Sequence, residues 1–232
     1  MSAIIAGAGE ATGLALARKF ASHGLKVHGA RRRPDATTLP PNVSLEAVDF
    51  RDAVAVESFV SRVEATSGPV RLAVHNIGAN VRYPVLETSE RVYRKTWELA
   101  ALSAFHFAQS IGSRMVERGE GTIIFTGATA STRGGAGFSA FAGAMAAKRM
   151  LAQSLARELG PMGVHVGHVV IDGPIDTPFV AQLVGDATFS SMRTKGALLK
   201  PDDIADAYLA LHLQPKSAWT HELDLRPFAE KF

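Results

Sequence analysis

Ile4-Ile5-Ala6-Gly7-Ala8-Gly9-Glu10-Ala11-Thr12-Gly13-Leu14-Ala15-Leu16-Ala17 passes from an apolar run through three glycines into a helix-forming run. A strand, a glycine turn and a helix in that order let the backbone approach a pyrophosphate and set it on the first helical amides. Alone, such a motif is weak, and its context decides. Short apolar runs alternate with amphipathic ones along the whole chain, the pattern of a parallel sheet covered by helices on both faces. The pattern predicts strands over 3–6, 25–30, 44–48, 72–75, 122–126, 164–171 and 223–225, and helices over 12–22, 53–65, 91–117, 141–158 and 201–213. In the third helix, Trp97, Ala101, Ala104, Phe105, Ala108, Ile111 and Met115 recur at helical spacing and predict one continuous apolar face. The expectation is an α/β chain with a doubly wound, Rossmann-type sheet, forming a single domain over 1–232.

The chain has 232 residues, 47% of them hydrophobic, enough for one sizeable core. There is no shift in composition, no repeat and no apolar run of membrane-spanning length, so no membrane partner is expected. Cysteine is absent, which excludes disulfides, thiolate metal sites and thiol nucleophiles. The first residues carry no basic region or cleavage site before the first strand, so a cytoplasmic protein is expected. The formal charge is +3 and the only basic run is Arg31-Arg32-Arg33, which suits a phosphate site or a turn better than a nucleic-acid surface.

A second decisive stretch is Gly121-Thr-Ile-Ile-Phe-Thr-Gly127, a buried strand, followed by the helix that opens at Phe141-Ala-Gly-Ala-Met145. Together with the opening motif, His75-Asn76-Ile77-Gly78 and Asp172-Gly173-Pro-Ile-Asp-Thr177, it resembles the short-chain dehydrogenase/reductase family over essentially the whole chain. The resemblance implies binding of a nicotinamide dinucleotide and redox chemistry between an alcohol and a carbonyl. It also implies where the catalytic groups belong. A serine, a tyrosine, a lysine and an asparagine are expected there, and this chain has Ala128, Phe141, Met145 and Ala100 instead. Hydride transfer to a carbonyl needs a proton donor on the oxygen that becomes negative. Phenylalanine and alanine have no donor, and methionine offers only a weak acceptor. An oxidoreductase of severely reduced activity is therefore expected, with a catalytically silent regulatory or partner protein and a non-redox lyase as alternatives.

The cofactor residues implied by the resemblance are Gly7, Gly9, Ala11, Gly13, Arg31, Asp49, Asn76, Gly78, Gly173 and Thr177. Ala11 falls where the family has a glycine, and its methyl adds bulk near the phosphates. An NAD site places an acid at the end of the second strand. Ala30-Arg31 stands there instead, so NADP(H) is expected over NAD(H), with Arg31 on the 2′-phosphate and Glu10 opposing it if it faces that group. Asp172 is the one candidate for an unorthodox acid. Lys148, three positions beyond Met145, is expected to be solvated. His165 and His168, separated by an odd step on a strand, should face opposite sides, and no metal site is expected. The segment 178–199 is expected to form a mobile lid. The small residues Ala142, Gly143, Ala146 and Ala147 suggest a helix face through which a homodimer or homotetramer forms.

Overall fold

The computed structural model describes residues 1–34 and 38–230. Seven parallel strands form one sheet: β1 (Ser2–Ala6), β2 (Lys26–Arg31), β3 (Val43–Ala47), β4 (Val70–His75), β5 (Gly121–Thr126), β6 (Val164–Ile171) and β7 (Glu222–Leu225), in spatial order 3-2-1-4-5-6-7. The order reverses between β1 and β4, where a crevice opens at the carboxyl ends of the strands. Period-two alternation sends Ile4 and Ala6 to one face and Ala3 and Ile5 to the other. On the first face lie α2 (Ala53–Ser67), α4 (Ser103–Arg118) and α5 (Ser139–Leu159), sealed by Phe50, Phe59, Phe107 and Phe125. The opposite face is covered by α1 (Thr12–Ser22) and α8 (Pro201–His212), with Phe20 and Tyr208 in its core.

Local chemistry sets the helix ends. Asp52 accepts hydrogen bonds from the amides of Val54 and Ala55 and so caps α2. Gly119 closes α4 with a left-handed φ of 68°. Pro201 opens α8, followed by Asp202 and Asp203 in the positive first turn.

The structure corrects two expectations, the uniform helix over 91–117 and the solvated Lys148. The helix expected over 91–117 is not uniform: α3 (Glu90–Trp97) leads into a π-helical segment, Glu98–Leu102, before α4. A wider turn changes the angular phase of every residue after it. Trp97, before the wider turn, is therefore turned off the buried face and is 42% exposed; Phe105, within α4 itself, lies beside the buried stripe and is 46% exposed, while Phe107 takes the inward place with Ala104, Ala108, Ile111 and Met115. The lid segment is mainly helical, α6 (Pro178–Val184) and α7 (Asp186–Thr194), and its ends are held by an Asp176–Arg193 ion pair and an isolated bridge between Ile175 and Leu199. Finally, Lys148 is buried. Among the described residues no helix is long and apolar enough to cross a membrane.

Candidate active site

The glycine turn after β1 is built by close packing. Gly7 has φ +85°, and a Cβ there would lie 2.9 Å from Ile77 and 3.0 Å from the backbone of Asn76. A Cβ on Gly13 would fall 2.6 Å from the Cα of Ala8, so α1 can approach the turn only because that position is bare. Gly9 differs: a methyl there meets nothing within 4 Å. Asn76 locks the turn to β4 by donating from Nδ2 to the Gly7 carbonyl, 3.0 Å, and from its backbone amide to Ala6. Ala11 is the N-cap of α1 and makes no side-chain cap bond, so the first amides of this helix receive no side-chain oxygen from their own cap.

Two cavities follow the carboxyl edge of the sheet, and Asn76 lines both. The smaller, about 210 Å³, is lined by Gly7, Gly9, Arg31, Arg32, Asp49 and Gly78 among others. Asp49 is held by a bidentate bond from Arg51, which lowers its carboxyl pKa. Glu10 is exposed and does not line this cavity.

The larger cavity, about 650 Å³, lies beneath the segment that carries α6. Ala11, Ala128, Phe141, Gly173 and Thr177 reach it. Phe141, Ala128, Ala130 and Phe138 form its apolar inner wall and pack on a cluster in which Ala100, Phe141, Ala144 and Met145 are buried together. The π-helical segment carries Ala100 into this cluster. The hydroxyls nearby already have partners: Thr126 accepts from Tyr208 at 2.8 Å, Ser131 accepts from the Ala128 amide at 3.0 Å, and Thr129 donates to Asp172. Asp172 also pairs with Arg226 at 3.2 Å and, more loosely, with Arg133 at 3.8 Å. Thr177 caps α6 through the Val180 amide.

A buried basic group lies behind this wall. Lys148 is fully buried and its Nζ donates to the Ile77 carbonyl at 2.9 Å, in contrast to the solvated lysine expected from the sequence. The side chain points from α5 back to the end of β4, and desolvation pushes its pKa down to about 7. His75 is buried nearby, bonded through Nε2 to Ser103 at 2.9 Å, and its pKa is lowered well below the usual value by burial and by the Lys148 charge. His168 is bonded to Glu222 at 3.0 Å, and burial holds its pKa at about 4 despite that partner. His165 stacks on Trp219 with centroids 4.9 Å apart. Among the described residues, no three His, Cys, Asp or Glu side chains are grouped as a metal site would need.

Residues 1–187 match the family model described as short chain dehydrogenase. The chain belongs to the short-chain dehydrogenase family. This short-chain dehydrogenase is similar to one from Rhodopseudomonas palustris of known structure, with 37% identity over 97% of this chain and 99% of that one and a TM-score of 0.80. It is 26% identical over 230 residues to the 2,3-dihydro-2,3-dihydroxybenzoate dehydrogenase of Bacillus subtilis, covering 90% of this chain and 87% of that protein. The closed form of serine dehydrogenase complexed with NADP⁺ shares the fold, at 22% identity over 100% of this chain and 97% of that one, with a TM-score of 0.87.

Ala100, from the π-helical segment, and Phe141 and Met145, one turn apart on α5, converge in one buried cluster with Ala128 packed against it. Gly7, Gly9, Arg31, Asp49, Asn76 and Gly78 likewise share the smaller cavity, and Gly13 holds the turn from behind. Sequence reasoning missed the inward path of Lys148 and the role of Gly127, where a Cβ would lie 2.4 Å from His168 Nε2. A signal for Lys148 was available: it lies seven residues, two helical turns, beyond Phe141, on the face that turns toward the sheet.

Proposed function

We propose that this short-chain dehydrogenase binds NADP(H) in preference to NAD(H) and acts as an oxidoreductase on a carbonyl or alcohol, with turnover severely slowed at its own catalytic positions. The apolar cluster of Ala100, Phe141 and Met145, with Ala128 against it, carries the reading. When bound, the nicotinamide supplies or takes the hydride. The protein must then handle the proton on the substrate oxygen, and no side chain of this cluster bears a hydroxyl, ammonium or amide. Loss of general acid catalysis costs about 10²–10⁴ in rate.

The cradle fits a dinucleotide. Gly9 leaves open space where a methyl would stand, Gly7 and Gly13 draw backbone and helix together, and Asn76 lines both the smaller cavity and the larger. Arg31 and Arg32 line the outer end and Ala30 contributes no acid, which supports the 2′-phosphate form. The fold neighbour with NADP⁺ bound supports the same class of cofactor. Titration calorimetry should show tighter binding of NADPH than NADH, and equal affinities would remove Arg31 from recognition. Nicotinamide absorbance should then report at most trace turnover across aldehydes, ketones and quinones. Robust turnover would overturn the blank-site reading. Binding without any turnover would make the chain a nucleotide-binding partner or regulator, and substrate loss without nicotinamide change a lyase.

Self-association as a homodimer or homotetramer is part of the proposal. Phe105 on α4 and Met150 on α5 are 46% and 48% exposed, an apolar outer surface that a second copy would cover. Part of the small-residue face is already met within the chain, since a Cβ on Gly143 would stand 3.2 Å from the Tyr93 hydroxyl. Light scattering should give a dimer or tetramer, and a strict monomer at micromolar concentration would end this part of the reading.

A further inference from the structure

The larger cavity has an uneven lining. Its body is apolar, with Phe138, Phe141, Ile175, Phe179 and Val180 among the walls, and Arg133 is the one charged residue in its lining among the described residues. No carboxylate lines it among those residues. The nearest counter-charge is Asp172, which already accepts from Thr129 and pairs with Arg226 at 3.2 Å, leaving Arg133 the most distant of its donors at 3.8 Å. The Arg133 side chain is 56% exposed. A guanidinium held at the mouth of an apolar chamber, with its counter-ion shared, is suited to bidentate capture of an acid group.

The size and chemistry of the two ends constrain what enters. A cavity of about 650 Å³ is in the range of small-molecule sites. At its inner wall, Ala128, Phe138 and Phe141 offer no side-chain hydrogen bond to a substrate oxygen, so a polyhydroxylated ligand would lose its hydration along that wall without replacement. At the mouth, Arg133 offers a charge-assisted bond. We propose that the ligand of this cavity is an apolar acid: an aromatic or alicyclic body lodged against Phe138, Phe141 and Phe179, with a carboxylate on Arg133. This rests on reading the cavity as the substrate end of the dinucleotide crevice.

The test uses a matched pair of probes, 2-naphthoate and 2-naphthamide, which share a body and differ in charge. Both are titrated calorimetrically into the full chain, with and without saturating NADP⁺. The acid should bind about tenfold more tightly than the amide, the scale of one charge-assisted bond at a half-open site. Arg133→Gln should abolish that preference and leave amide binding unchanged, Arg133→Lys should keep part of it, and Phe179→Ala should weaken both probes alike. Thermal melts check that each variant is folded. Equal binding of the pair by the parent, a preference that survives Arg133→Gln, or no binding of either probe would each overturn the proposal. Failure of the dinucleotide reading looks different: no heat with NADP⁺, while the acid preference and its dependence on Arg133 remain.

Discussion

The two ends of the crevice contrast sharply although they lie on the same sheet edge and share Asn76. The nucleotide end is built from backbone: a positive φ at Gly7, a bare Cα at Gly13, and an amide side chain that binds a carbonyl. The chemical end is built from side chains, and those present are apolar. A cradle made of backbone is fixed by packing against the core and is expensive to alter, whereas a catalytic side chain can be exchanged with little change in the fold. Binding and chemistry are thus separable in this architecture.

The largest expected effect tests the ground between the two ends, where Lys148 sits under Ile77. Its folded pKa of about 7 lies below the unfolded value of 10.5, so the unfolded chain binds the extra proton between those values and stability should rise with pH through that window. His168, at about 4 against an ordinary 6.5, adds a separate rise at lower pH. Lys148→Met removes the buried charge. Below pH 7 it should be more stable than the parent by on the order of 4 kcal/mol, after allowance for the lost bond to Ile77, and the advantage should shrink toward pH 10. Denaturant melts at several pH values measure it. A constant difference across pH would show that the lysine is not charged in the way its burial implies.

Restoring the chemical end should give the next largest change. Phe141→Tyr with Met145→Lys puts back a proton donor and a cation near it, and Ala128→Ser with Ala100→Asn adds orientation and relay. The combined variant should gain about 10²-fold or more in NADPH oxidation on at least one carbonyl, with strongly non-additive single steps. If it binds NADPH and stays silent, the cavity has been reshaped beyond its catalytic positions, and the two ends differ in form as well as in side chains.

The nucleotide end can be divided by two methyl groups. Gly13→Ala drives a Cβ into the backbone of Ala8 and Gly7 and should cost about 1–3 kcal/mol of stability together with nucleotide affinity. Gly9→Ala meets no protein atom within 4 Å, so its melting temperature should scarcely move while nucleotide affinity falls. Equal affinity for nucleotide in Gly9→Ala would place the ligand elsewhere. The smallest change is a control away from both ends: Asp52→Ala removes the α2 cap and should cost about 1 kcal/mol without touching either ligand.

The same division governs how much of the molecule was legible in the sequence. Strand and helix periodicity located all seven strands and the main helices to within a residue or two, because the sheet buries both faces and leaves little freedom of register. The convergence of Ala100, Phe141 and Met145 was legible because motif spacing encodes the topology. The π segment at Glu98–Leu102 was not, since one extra residue in a turn leaves no mark on a run of alanine and leucine, and the phase change it introduced turned Trp97 off the buried face, whereas Phe105 simply lies beside the buried stripe of α4. Lys148 was misjudged because charge outweighed position: a lysine is almost never fully buried, yet its stem here runs along the core and its head finds the Ile77 carbonyl.

The loop that frames the larger cavity is fastened from far away in the chain. The Asp172 amide donates to the Leu225 carbonyl and the Asp172 carboxylate is gripped by Arg226, while Glu222 reaches across to His168 and Arg149. On a ribosome, the glycine turn and the strands around it emerge first and can begin to assemble before residues 222–226 have been made. The chamber that receives the ligand can close only after them. A nascent chain of this protein would therefore gain its nucleotide cradle early and its ligand chamber late, so ribosome-bound intermediates should protect the first from protease before they protect the second.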